Sequence, residues 1–106
     1  MINFAMPSSD TVIITKECLR AVLEGSFFPE WEFETLFGID RETVQTVYDA
    51  WPTQTIDADD FSCAVVGSLN NLIGYPTGQS EEWSKYISVS PERVREALNE
   101  LTLLGL

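Results

Sequence analysis

The chain has 106 residues, of which 44% are hydrophobic and 11% aromatic, enough for one packed domain and too few for two independent ones. That composition excludes an intrinsically disordered tail, and no apolar run approaches the roughly 20 residues that would span a bilayer. Seventeen acids against six bases leave a net charge of −11, which disfavours direct contact with nucleic acid or an anionic membrane.

In chain order, residues 1–13 are ambiguous, because Val12, Ile13 and Ile14 suit a short strand or the lead-in to a helix. No base precedes Lys16, so the positive region of a secretory signal is missing and the cytoplasm is the expected compartment. Thr15 is read as the N-cap of a first helix over Lys16–Glu24, with Cys18, Leu19, Val22 and Leu23 at helical spacing and Gly25 as the C-terminal stop. Pro29 opens a short second helix with Trp31, Phe33, Leu36 and Phe37, ending at Gly38. Asp40 caps a third, whose stripe is Val44, Val47, Tyr48 and Trp51, and Pro52 stops it.

Residues 53–56 read as a connector, and Asp57 as the cap of a fourth helix carrying Phe61, Ala64, Val65, Leu69, Leu72 and Ile73. Gly74 and Pro76 end it, and residues 75–79 form a loop. Ser80 caps a short segment, Glu81–Ile87, with Trp83, Tyr86 and Ile87. Ser90-Pro91 then opens the last helix, with Val94, Ala97, Leu98, Leu101 and Leu104 on one stripe.

Shifted by 50 positions, Asp40 meets Ser90, Val44 meets Val94, and Phe33, Leu36 and Phe37 meet Trp83, Tyr86 and Ile87; at 49, Leu23 and Gly25 meet Leu72 and Gly74. The expected architecture is therefore all-α: a single domain over 1–106, a compact bundle of about six helices. Two pseudo-repeats of about 50 residues compose it, roughly 14–52 and 57–106, with Trp31, Trp51 and Trp83 in the shared centre.

Chemistry is scarce. With no histidine, the usual general base and metal ligand are missing, and Cys18 and Cys63 stand far apart without CxxC spacing. They read as two reduced core thiols, although spacing alone leaves a disulfide open. No phosphate-binding glycine loop occurs. A calcium loop starting at Asp57 would need glycine and glutamate where Ser62 and Ser68 stand. The expectation is a binding protein without cofactor or metal, not an enzyme.

The acid is unevenly spread: residues 30–60 hold nine acids against Arg41 alone. Within them, Glu30, Glu32 and Glu34 alternate with Trp31 and Phe33, and Asp57, Asp59 and Asp60 extend the patch if the connector folds alongside. On one helix Glu30 and Glu34 would share a face that docks basic side chains of a partner, with Phe27 or Phe28 as apolar anchor.

Two resemblances bear on this. Val89 to Leu101, followed by Leu104-Gly105, resembles the recognition helix of bacterial helix-turn-helix regulators, but Glu92, Glu96 and Glu100 oppose phosphate contact. Leu19 to Gly25, the Glu30–Glu34 segment and Gly38-Ile39-Asp40-Arg41-Glu42 together resemble small acidic all-helical immunity proteins of bacterial polymorphic toxin systems. That resemblance implies an inhibitor of a basic protein partner such as a toxin. The competing expectations are a DNA-mimic or adaptor, and a self-associating structural module forming a homodimer.

Overall fold

The computed structural model describes residues 7–25, 27–53, 57–74 and 80–106. They form six helices and no strand: α1 (Ser9–Glu24), α2 (Phe33–Phe37), α3 (Arg41–Ala50), α4 (Ala58–Gly74), α5 (Ser80–Tyr86) and α6 (Pro91–Leu103), with a 3-10 turn over Glu30–Glu32 before α2. The helical bundle expected from periodicity is what the chain builds. No helix among the described residues is long and apolar enough to cross a membrane.

Local capping sets most helix starts. The carboxylates of Asp40 and Asp57 accept from the amides of Thr43 (2.8 Å) and Asp60 (3.0 Å), and Ser90 Oγ accepts from Arg93 N at 3.3 Å. Each satisfies an amide that the first helical turn leaves unpaired. The hydrogen bonds from Thr43 hold the Asp40 carboxyl below its ordinary value.

The first helix differs from expectation. Ser8, not Thr15, caps it, with Ser8 Oγ accepting from Thr11 N at 3.3 Å. Thr15 is fully buried in mid-helix beside Thr11, Ile14 and Cys18. The β-branched run at 11–15 argues locally for a strand, but burying that face against α4 overrides propensity. Of the ambiguous N-terminal stretch, residues 9–13 are helical and residues 1–6 lie outside the described set, as do the loop 75–79 and connector positions 54–56. Gly25 ends α1 with extended backbone; a Cβ there would stand 2.7 Å from both Ala21 O and the Phe27 ring, so only glycine lets the chain turn so tightly.

α4 is the central element, packing on α1, α2, α3 and α6, while α1 packs on α3, α5 and α6. Phe61, Ala64, Val65, Leu69 and Leu72 of α4 meet Ile14, Cys18, Leu19 and Val22 of α1 in one continuous core. Of the three tryptophans expected at the centre, Trp51 is buried and stacked on Phe61 at 5.8 Å, and Trp83 is half-buried with its indole N–H donating to Val89 O at 2.8 Å. Trp31 is instead 79% exposed. Both cysteines are free; Cys18 is buried, which pushes its thiol strongly upward, whereas Cys63 is only half-buried.

Polar side chains fix how the helices meet. Glu100 of α6 accepts from Ser8 N (2.6 Å) and Thr11 Oγ1 (2.8 Å), tying the start of α1 to α6; those bonds hold its carboxyl below its ordinary value. Glu17 accepts from Ser88 N at 2.9 Å, and Asn71 Nδ2 donates to Leu36 O at 3.1 Å.

At a spacing of 50, burial runs in parallel. Residues 14–24 and 64–74 follow the same order of buried, half-buried and exposed positions except at Ala21 and Asn71, and 37–51 and 87–101 do so except at Arg41 and Pro91.

Candidate functional site

The acidic-aromatic segment is shaped by its 3-10 turn. In a continuous α-helix Glu30 and Glu34 would sit one above the other; at three residues per turn, Glu30 lines up instead with Phe33. Phe33 and Phe37 are buried, with ring centroids 4.5 Å apart, and Phe28 packs edge-on against Phe37 at 5.3 Å. The apolar anchor placed at Phe27 or Phe28 is therefore not available, because both side chains belong to the core. Trip the chain one residue past Glu30 and the indole of Trp31 stands in solvent, with Glu30 and Glu34 exposed around it and Glu32 half-buried.

One cation organises this end of the molecule. Arg41 Nη1 donates to Val22 O (3.1 Å) and Leu23 O (2.8 Å), carbonyls in the last turn of α1, where the helix dipole favours a cation. Its Nη2 pairs with Glu30 at 2.8 Å, and the guanidinium lies over the Phe33 ring, 4.4 Å from the centroid. Arg41 thereby links the turn that carries Trp31 to the end of α1.

Asp57, Asp59 and Asp60 do not extend this patch. They occupy the start of α4, where the helix dipole favours carboxylates. Trp51, stacked on Phe61 beside them, donates its indole N–H to Val12 O at 3.0 Å, near the start of α1. Arg41 and Glu30 belong to the other end of α1, at Val22 and Leu23. Eleven residues of helix, at about 1.5 Å each, put roughly 16 Å between Val12 and Leu23, the points on α1 to which the two groups' neighbours attach. Residue numbers close in sequence concealed that separation, since α3 carries the chain from one end of α1 to the other.

The exposure of Trp31 had a signal in the sequence. At the spacing of 50 its counterpart is Glu81, a charged residue at an exposed position, whereas the counterpart of Trp51 is the buried Leu101.

A second feature, unsignalled by any motif, is an open groove of about 480 Å³ between α1, the end of α3 and α5. Its walls include Ile13, Lys16, Arg20, Tyr48 and Tyr86. The Lys16 ammonium lies 3.8 Å over the Tyr48 ring and donates to the Tyr48 carbonyl; the Arg20 guanidinium is 5.5 Å from the Tyr86 ring centroid. On α4, a Cβ at Gly67 would come within 3.1 Å of Phe37, so α2 seats directly on that helix. Glu17, in the groove lining, accepts from Ser88 in the α5–α6 turn.

Among the described residues, no three Cys, Asp or Glu side chains gather closely enough to hold a metal ion. No protein-family model matches the chain, and comparison with curated proteins and with solved structures returns no match.

Proposed function

We propose that this chain is a protein-binding module of a bacterial cytoplasm, an immunity- or antitoxin-type inhibitor that docks a basic partner protein through Trp31, Glu30, Glu32 and Glu34. It acts by occupying the partner, with no catalysis, cofactor, membrane or direct nucleic-acid contact of its own. The observation that carries this reading is the solvent-exposed Trp31 set among carboxylates. Water penalises so large an exposed ring, and a tryptophan inside a rim of charge is the usual composition of an interface hot spot. Asp57, Asp59 and Asp60, at the start of α4, act as a steering field that speeds encounter with a positive surface.

The test uses two variants, Glu30→Gln with Glu34→Gln, and Asp59→Asn with Asp60→Asn, as baits against extract of the native host. A basic polypeptide retained by the wild type should associate several-fold more slowly with either variant at low salt, roughly 3- to 10-fold in the rate constant. The toxin assignment predicts further that co-expression relieves the toxicity of that polypeptide. Unchanged association rates would remove the acidic face from the interface.

We also infer that the chain is a duplicated three-helix unit, about 14–52 and 57–106. In support, burial runs in parallel at a spacing of 50, and the short helix of each half packs on the long helix of the other, α2 on α4 and α5 on α1. Neither half can bury its long apolar stripe alone. Separate peptides for the halves should each be largely unfolded by circular dichroism and regain helicity on mixing; a half that is stably helical and monomeric alone would contradict the duplication.

A further inference from the structure

We propose that the groove between α1, α3 and α5 receives the Trp31 turn of a second copy of this chain, so that the protein associates head to tail with itself. This rests on the reading of Trp31 as a docking residue; the same face engages a second copy when no basic partner holds it, so the two contacts compete. The two surfaces are complementary in shape and charge. The knob is an indole, 79% exposed, bordered by the carboxylates of Glu30 and Glu34. The groove, at about 480 Å³, falls within the size range that accepts an aromatic ligand, and its lining includes Tyr48 and Tyr86. Lys16 and Arg20, two of only six bases in the chain, edge it, and Ile13, 56% exposed, adds apolar area at its mouth.

The cations are recruitable. Arg20 is held by Glu24 through an i,i+4 pair in which both side chains are about half exposed, an arrangement that an incoming carboxylate exchanges readily. Lys16 lines the groove with its ammonium over the Tyr48 ring and on the Tyr48 carbonyl, bonds to neutral groups that leave its charge unpaired by any carboxylate in the groove lining. The one carboxylate in the lining, Glu17, is engaged by Ser88. Trp31 does not line its own chain's groove, so the knob of one copy is left for another. Because knob and groove are different surfaces, the contact is heterologous and leads to a ring or an open chain.

Electrostatics gives this association a signature opposite to that of a basic partner. Two copies at −11 repel over long range, and that repulsion is screened as the Debye length falls from about 30 Å at 0.01 M salt to about 8 Å at 0.15 M. Self-association should therefore strengthen over this range, while capture of a basic partner weakens.

The experiment is sedimentation of the full chain over a concentration series at both salts, with two variants. Trp31→Ala removes the knob and keeps the groove; Lys16→Gln with Arg20→Glu removes the groove's charge and keeps the knob. Wild type should show concentration-dependent oligomers at the higher salt, and each variant alone should lose at least about tenfold in association constant. Mixed, the two variants should form a species of two chains and nothing larger, since each contributes one intact surface and one blocked one. Should the double variant lose helicity, Arg20→Glu alone serves, being at a half-exposed position. A wild type that stays monomeric at both salts, a variant that associates as the wild type does, or a mixture that stays monomeric would each overturn the proposal. Basic-partner capture that survives the groove variant while self-association is absent would leave the proposed function standing without this addition.

Discussion

Replacing Phe61 with alanine is expected to cost about 3–5 kcal/mol of folding stability, out of the roughly 5–15 kcal/mol that holds a domain of this size together. Phe61 is fully buried at the start of α4 and stacks on Trp51 at 5.8 Å with the rings 24° apart. Removing its ring takes that pairing away and leaves a cavity that helices anchored on four sides cannot close. It also deprives Trp51 of the surface that holds its indole N–H on Val12 O. Urea unfolding should show a lower midpoint with little change in slope, since the same surface is exposed on unfolding. A loss under about 1 kcal/mol would mean that the α3–α4 junction is not part of the core, because surface positions cost that little.

Trp31→Ala is the opposite kind of change. At 79% exposure the side chain contributes little to folding, so stability should stay within about 0.5 kcal/mol of wild type. Affinity for the docked partner should nevertheless fall by about 2–4 kcal/mol, roughly 30- to 1000-fold in Kd, the range of a central tryptophan hot spot. Calorimetric or interferometric titration against the captured partner reads this directly. An equal loss in stability and in affinity would indicate a structural residue; no loss in affinity would place the interface elsewhere.

Much of the architecture was legible because its signals are local. Asp40, Asp57 and Ser90 announce helix starts through short side chains that reach their own backbone three residues on, a property of sequence neighbours. The apolar stripes of α3, α4 and α6 declare which faces turn inward. Thr15 misleads for the same reason: a threonine before a helical run has capping chemistry, and only packing against α4 shows that its hydroxyl lies in the interior.

The candidate site was legible in kind and not in arrangement. The alternation of acid and aromatic over Glu30–Glu34 marked the segment and put Trp31 and Phe33 on opposite sides, but only packing decides that Phe33 turns in and Trp31 out. The distance between Glu30 and Asp59 depends on the direction of α3, which no local pattern encodes. The groove is lined from α1, the end of α3 and α5, so it exists only through their packing, again beyond any local pattern.

Arg41 has one further consequence. Its bonds to Val22 O and Leu23 O and its seat over Phe33 do not involve Glu30, so the guanidinium stays moored whether or not that carboxylate is beside it. Glu30 is thus exchangeable: losing that one ion pair leaves the scaffold beneath undisturbed. The pair is a reversible clasp on a permanent hinge, and its opening frees one carboxylate to solvent without loosening the packing around Phe33.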